Sequence, residues 1–169
     1  MVTDLDAKGS EALDALDTLV REIDDPELPH VTIGDLGIVR TVDVDHARNV
    51  ATVILTPTYT GCPATEQIRD DVTSAIVRAG FEPDVRFAIS PAWTTDWITE
   101  RGRERLRDAG ITPPPPVAEP GVTFVDPPVA CPRCGSRKTR LISQFGATAC
   151  KASYVCAACS EPFELFKAL

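Results

Sequence analysis

The sequence predicts an α+β fold, in which a small helix–strand–strand–helix–strand–helix domain precedes a C-terminal four-cysteine zinc ribbon. Three observations predict it. Apolar residues recur at helical spacing in some segments and alternate with polar ones in others, as far as residue 110. A proline-rich stretch then interrupts the chain, and two Cys-x-x-Cys pairs follow it. We therefore expect an α+β domain at 1–110, a linker at 111–130 and a ribbon domain at 131–169.

The first half of the N-terminal domain contains one helix and a hairpin. Apolar side chains recur at three- and four-residue steps over 9–23, with Ser10 as the N-cap, which predicts an amphipathic helix. Residues 36–45 and 49–57 alternate or are rich in β-branched side chains, and a turn-like segment joins them. These two runs predict an antiparallel β-hairpin.

The second half of the domain adds two helices around one strand. Helical spacing over 63–80, with Pro63 in the first turn and Gly80 at the end, predicts the second helix. Residues 82–90 place Val85, Phe87 and Ile89 on one face of a third strand. A third helix is predicted over 94–110. Such an order indicates helices packed on one face of a short sheet.

The predictions for the linker and for the tail rest on the positions of prolines and cysteines. Seven of the fifteen prolines lie in 111–130, four of them consecutive, which favours an extended spacer. The 39 residues after it have few large apolar side chains. Because a core of that size rarely suffices alone, we expect a metal ion to stabilise the tail.

Two cysteine pairs are the candidate metal ligands. A two-residue gap lets both thiolates of a pair bind one ion, and two such pairs indicate a zinc ribbon. Zn²⁺ in a closed structural site is the expected cofactor, and iron or an iron–sulfur cluster is the alternative. Cys150 is either a small buried residue or a further ligand or redox thiol. The four expected ligands are Cys131, Cys134, Cys156 and Cys159.

Charge and composition argue against some functions. The tail carries +4 of the net charge, which leaves −12 for residues 1–130 and argues against nucleic acid as a partner. The sequence shows no signal peptide and no membrane span, so we expect a cytoplasmic protein. Six cysteines are then ligands or thiols rather than disulfides.

Cys62 stands apart from the other cysteines, in the stretch TPTYTGCPATEQI. It follows the second predicted strand and immediately precedes Pro63, which places it at or near the N-cap of the second helix. Unpaired amides at a helix N-terminus favour a thiolate, and thus a better nucleophile or metal ligand. Capping alone explains the same residues. The local pattern leaves both interpretations open.

Several motifs resemble a known family. The sequences DPELP at 25–29, DLGIV at 35–39 and TPTYTGCPA at 56–64 resemble the iron–sulfur cluster assembly domain family, over about 11–95. With WTTDWIT at 93–99, the proline spacer and the long cysteine motif of the tail, the whole chain resembles the D-subunit family of bacterial phenylacetyl-CoA epoxidase systems. That resemblance implies an accessory protein of phenylacetate degradation.

The resemblance also implies a role and a set of residues. The role is assistance in delivering an iron–sulfur cluster or iron to the oxygenase or reductase components, without catalytic activity of the protein alone. Cys62 would be a reactive thiol or a transient metal or cluster ligand. The supporting positions implied are Asp25, Glu27, Asp35, Thr56 and Thr58.

Partners and alternatives follow from the same resemblance. The implied partners are the other subunits of the epoxidase system, including its reductase. Whether the protein forms a homodimer is left open. The alternative function is a structural or electron-transfer subunit of the multicomponent monooxygenase complex.

Overall fold

The computed structural model describes residues 3–59, 61–114 and 129–167, and confirms the α+β class. The helices are α1 (Thr3–Arg21), α2 (Thr65–Arg78) and α3 (Glu100–Asp108), with a 3₁₀ helix at Thr95–Trp97. The strands are β1 (Val39–Asp45), β2 (Val50–Leu55), β3 (Glu82–Phe87), β4 (Ile111–Thr112), β5 (Thr139–Ser143), β6 (Lys151–Cys156) and β7 (Pro162–Phe166).

The N-terminal sheet has the order β1-β2-β3. β1 and β2 form the predicted antiparallel hairpin, with Asn49 at φ 56° in the turn between them. β3 runs parallel to β2, and α2 is the crossover between them. Ala51, Val53 and Leu55 of the central strand are completely buried, as alternation predicts. This strand therefore leads directly to the turn that carries Cys62.

Two helix predictions need correction. α1 begins at Thr3, so Ser10 lies inside the helix and is not its N-cap. The single helix predicted over 94–110 is a 3₁₀ turn followed by α3. The break occurs at Thr99, whose backbone is extended and whose hydroxyl accepts a hydrogen bond from the Gly102 amide at 3.0 Å. A threonine cap starts a new helix there.

The C-terminal sheet has the order β4-β7-β6-β5. β4, which pairs in parallel with β7, is formed by the first two residues of the predicted linker. Residues 115–128 of that linker lie outside the described residues. The domain boundaries at 1–110 and 131–169 stay a prediction.

Side chains of both sheets share one core. Phe166 of β7 is 1% exposed, and its ring meets that of Trp93 edge-on with 6.0 Å between centroids. Cys150, immediately before β6, is also part of this core. The N-terminal domain contributes, among others, Leu16, Val20, Leu28, Leu36, Val53, Leu55, Ile68 and Ile76. The C-terminal sheet is thus packed against the N-terminal domain.

No helix within the described ranges is both long and apolar enough to cross a membrane.

Candidate functional site

The four cysteines of the two Cys-x-x-Cys pairs lie together. Their sulfur atoms are all within 4.8 Å of one another, with 3.8 Å between Cys131 and Cys159 and 3.6 Å between Cys134 and Cys156. In a tetrahedral site with metal–sulfur bonds of about 2.3 Å, two sulfurs are about 3.8 Å apart. The four sulfurs therefore fit an ion of that kind without rearrangement.

Each pair lies in a turn with the same backbone hydrogen bonds. The Gly135 amide donates to the Cys131 carbonyl, and the Ser160 amide to the Cys156 carbonyl, both at 2.9 Å. Gly135 has φ 71°, and Ser160 takes the same left-handed conformation at φ 63°. Because a serine is uncommon there, the second turn reaches this geometry at some cost in backbone energy.

The second turn also stabilises a thiolate. Backbone amides of Cys159 and Ala158 lower the pKa of Cys156 to about 6. The thiolate is the form that binds a metal ion. Since four sulfurs complete a tetrahedron, no coordination position is left for water or a substrate, as in structural sites. Cys150 does not belong to this group of sulfurs.

Cys62 lies further from helix α2 than the sequence predicts. α2 begins at Thr65 with Ala64 as its N-cap, so Cys62 and Pro63 both precede the cap. The Thr65 amide donates to the Cys62 carbonyl at 3.2 Å, and the Thr65 hydroxyl donates to the same carbonyl. Cys62 therefore contributes its backbone carbonyl to the start of the helix, and its side chain does not cap it.

The Cys62 thiol is held as a neutral thiol in the metal-free protein. Burial raises its pKa to about 11, the Ala64 amide opposes this, and the negative charges of Glu27 and Asp25 add to it. The expectation that Cys62 has a lowered pKa is therefore wrong, although the Ala64 amide acts in that direction. Desolvation outweighs the helix dipole, since Cys62 lies before the first turn.

A small pocket adjoins Cys62, here called the thiol pocket. Its polar lining residues are Asp25, Glu27, Thr58, Cys62, Thr65 and Cys150, and its apolar ones are Leu28, Leu36, Ile38, Pro57, Ile68, Phe87 and Phe166. The volume open to the centre of a water molecule is about 10 Å³, about what one water molecule requires. The enclosed space of the thiol pocket is thus about the size of one water molecule or one ion.

A tight loop after α1 holds the two carboxylates at this pocket. The Asp25 amide donates to the Val31 carbonyl at 2.8 Å, which closes the loop, and the Glu27 amide donates to Asp25 Oδ1 at 2.9 Å. Burial raises the pKa of Asp25 to about 6, against the lowering effect of the Glu27 amide. The carboxyl group is therefore poorly solvated and close to other negative groups.

The remaining predicted positions divide between two places. Thr58 lines the thiol pocket and is 8% exposed. Thr56, two residues earlier in the sequence, is also buried, and its amide donates to the Ile38 carbonyl at 2.8 Å. Asp35 is not among the lining residues; its carboxylate is completely buried and forms ion pairs with two arginines of α3. The structure therefore brings Cys62 together with Asp25, Glu27 and Thr58.

Two residues near Cys62 were not assigned to it from the sequence. Cys150 lines the thiol pocket although it lies in the C-terminal part of the chain. Tyr59 packs against the same core, and its pKa is raised by burial and then by the nearby Cys62. Tyr59 belongs to the same TPTYTGC motif as Cys62, so its closeness in the sequence could have identified it as a neighbour of the thiol. Nothing local indicated Cys150.

Two sequence families match separate parts of the chain. The family described as iron–sulfur cluster assembly protein matches residues 13–86. The family described as PaaD zinc beta ribbon domain matches residues 116–167. The first range contains Cys62 with its carboxylates, and the second contains the four ribbon cysteines and Cys150.

Known relatives agree with both matches. An Escherichia coli (strain K12) protein, named as the putative D subunit of 1,2-phenylacetyl-CoA epoxidase, is 47% identical over 152 residues, 89% of this chain and 90% of the relative. The Staphylococcus aureus (strain USA300) "Fe-S protein maturation auxiliary factor SufT" is 38% identical over 84 residues, 48% of this chain and 93% of the relative.

A solved structure shares the fold. The crystal structure of a domain of unknown function, DUF59, from Bacillus anthracis superposes with a TM-score of 0.54 at 28% identity, covering 59% of this chain and 95% of that one. Both family resemblances predicted from the sequence are thereby confirmed.

Proposed function

The chain belongs to the family of 1,2-phenylacetyl-CoA epoxidase D subunits, and from this premise we propose that it supplies iron, as an ion or a cluster, to another component of such an oxygenase system. Cys62 is the transient ligand of this cargo, and Asp25 and Glu27 support it. The observation that carries the proposal is the thiol pocket, which gathers these three side chains around a space for one ion.

The electrostatics of the pocket support a transient ligand. Because the pKa of Cys62 is raised to about 11, protons compete with a metal ion for the sulfur at neutral pH. An ion bound there is released more readily than one held by four thiolates. The names of two matches support the same role, since one is an iron–sulfur cluster assembly family and another is an auxiliary factor of Fe-S protein maturation.

The ribbon has a separate task in this proposal. Its four sulfurs hold Zn²⁺, which stabilises the C-terminal sheet and supplies no redox chemistry. The sheet docks the partner, and we propose the reductase of the oxygenase system, whose iron–sulfur centre receives the cargo. Support comes from the closed sulfur tetrahedron and from the near full-length likeness to a protein named as a subunit.

The test compares the reductase from cells that carry Cys62→Ser with that from wild-type cells. We expect the variant to fold and keep its ribbon metal, while the reductase is deficient in iron–sulfur cluster by metal analysis and visible absorption. Asp84→Asn, which removes a partly exposed carboxylate that pairs with Arg86, is the matched control and should leave the cluster content unchanged. A reductase replete with cluster in Cys62→Ser cells would contradict the proposal.

A stoichiometric structural subunit is the second candidate, favoured by the word subunit in the name of the relative. It predicts a stable co-purifying complex and a loss of monooxygenase activity when this protein is withheld from components that are already mature. An electron carrier with iron in the ribbon predicts a coloured, redox-active protein. Metal analysis of the anaerobically purified chain separates this last function from a zinc ribbon, because zinc is colourless and redox-silent.

A further inference from the structure

Cys150 is fixed in the wall of the thiol pocket, in a part of the chain that contains the ribbon. Its side chain is 4% exposed and lines the same space as Cys62. Its carbonyl accepts a hydrogen bond from the Lys167 amide at 2.9 Å, and its sulfur lies 3.0 Å from the Thr148 hydroxyl oxygen. The second thiol is therefore positioned by the C-terminal sheet and not by a flexible segment.

The lining of the pocket is acidic. Cys62, Cys150, Asp25 and Glu27 are all groups that become anionic on losing a proton, and among its described lining residues there is no lysine, arginine or histidine. The neighbouring Lys151 is buried and its ammonium group is paired with Glu164 at 2.8 Å. Its positive charge has only a minor lowering effect on the pKa values of Asp25 and Cys150. A divalent cation is the ligand that such a lining lacks, since it can replace the protons held by these groups.

These groups already interact electrostatically. The negative charges of Glu27 and Asp25 contribute to the raised pKa values of both Cys62 and Cys150, after the larger effect of burial. One cation placed between the two sulfurs would offset the negative charge that the two thiols acquire when they lose their protons beside these carboxylates.

We propose that Cys150 is a second thiolate ligand beside Cys62, so that the thiol pocket binds one Fe²⁺ ion as cargo through two sulfurs and the carboxylates of Asp25 and Glu27. This inference rests on the proposed function and commits it to a single ion, because a space of about 10 Å³ does not hold an assembled cluster. Two thiolates with two carboxylates suit a first-row transition metal better than Mg²⁺ or Ca²⁺. The ribbon thereby completes the cargo site.

The spacing of the donors distinguishes this site from the ribbon. Among the described residues, one group of acidic, thiol or imidazole side chains has all its ligand atoms within 4.8 Å of one another. This group consists of the four ribbon cysteines. The donors of the thiol pocket are further apart, so binding must draw them together. A site that closes only around its ion releases it more easily, as delivery requires.

Anaerobic titration of Co²⁺ into the zinc-loaded full-length protein tests the inference. Thiolate-to-cobalt charge-transfer absorption reports the number of sulfur ligands. We expect one Co²⁺ per chain in the pocket of the wild type, and in Cys150→Ala about half the charge-transfer intensity with an affinity at least about tenfold lower. Cys62→Ser should show a similar loss. Ser153→Ala, on strand β6 three residues after Cys150, is the control and should behave as wild type.

Folding of the variants is checked by their retained zinc and near-ultraviolet circular dichroism, and Cys150→Ser, which keeps the size of the side chain, serves if Cys150→Ala does not fold. Wild-type cobalt spectra and affinity in a folded Cys150 variant would overturn the inference, as would a wild type without a pocket cobalt ion. Neither result depends on whether Cys62 is required in the reductase assay. A cluster-replete reductase in Cys62→Ser cells, with normal cobalt binding by the wild type, would instead defeat the proposed function alone.

Discussion

The carboxylate of Asp35, which is completely buried, accepts a hydrogen bond from Arg105 Nη1 at 2.7 Å. Its other oxygen accepts one from Arg101 Nε at the same distance, and its backbone carbonyl accepts the Thr99 amide at 2.9 Å. Asp35 therefore fastens the loop before β1 to the start of helix α3. Asp35 thus has a structural role, and it does not line the thiol pocket.

Asp35→Ala should destabilise the protein by about 1.5–3 kcal/mol, because it removes a buried carboxylate that accepts charge-assisted hydrogen bonds from two partly exposed arginines. The measurement is the free energy of unfolding in urea, with zinc held constant. Asp84→Asn removes a carboxylate from the partly exposed pair with Arg86 and should change stability less, because solvent screens an ion pair at the surface. Equal losses in the two variants would show that the Asp35 pairs contribute no more than a surface ion pair.

The same carboxylate should make stability depend on acid pH. Burial acts to raise its pKa, but hydrogen bonds from Thr32 and the two arginines outweigh burial and hold the pKa below the usual value of 3.8. The native state then binds fewer protons than the unfolded chain as the pH falls below about 4. The contribution of Asp35 is complete above that pH and is lost as the pH falls through the lowered native pKa.

Asp35→Asn isolates this pH effect. The difference in unfolding free energy between wild type and Asp35→Asn should be largest at about pH 5 to 7 and should shrink below about pH 4. Taking the difference cancels the loss of ribbon metal in acid, which both proteins share. A difference that stays constant down to about pH 2 would contradict the lowered pKa.

Gly102 of α3 faces the same loop, and its replacement sets helix propensity against packing. A Cβ atom at Gly102 would lie 2.6 Å from the Asp35 carbonyl oxygen, which is closer than such atoms approach. Alanine improves helix propensity by about 1 kcal/mol, whereas forcing an atom into a packed contact costs about 1–3 kcal/mol. We expect Gly102→Ala to lower the melting temperature. Glu104→Ala, on an exposed position of the same helix, should leave it nearly unchanged.

Local patterns in the sequence account for most of the fold and for the ribbon. Alternation in β2 and the Cys-x-x-Cys spacing act over a few residues, so they predict the hairpin and the sulfur tetrahedron. The partners of Asp35 lie 66 and 70 residues away along the chain, and no local pattern reports such a pairing. The position of Cys150 in the thiol pocket could not be predicted for the same reason, since it depends on how the two sheets pack.

The environment of Cys62 was also beyond local rules. The sequence correctly indicated a turn before a helix, but a shift of two residues in the start of α2 removes Cys62 from the cap. Its pKa then depends on burial and on carboxylates contributed by another loop. A motif fixes which residues are present, whereas the tertiary packing fixes the dielectric environment around them.

Phe166→Ala should destabilise the protein by about 3–5 kcal/mol, because the side chain is 1% exposed and packs against Trp93 in the shared core. The matched control is Phe145→Ala, also in the C-terminal part of the chain, where the side chain is 65% exposed and the change should be below about 0.5 kcal/mol. Urea unfolding followed by Trp fluorescence measures both. A small effect of Phe166→Ala would mean that the C-terminal sheet contributes little to the common core.

Removal of the ribbon metal should reach the thiol pocket through the same packing. Without the ion, the C-terminal sheet loses the contacts that its few apolar side chains cannot replace, and Phe166 leaves the ring of Trp93, which is 5% exposed in the folded protein. We expect a chelator, or Cys156→Ser, to shift Trp fluorescence to the red and to make Cys150 accessible to alkylation. Cys62→Ser should do neither, because Cys62 lies outside the ribbon. Fluorescence that stays unchanged in the metal-free protein, with Cys150 still protected, would show that the core holds the sheet in place by itself, and the pocket would then be independent of the ribbon ion.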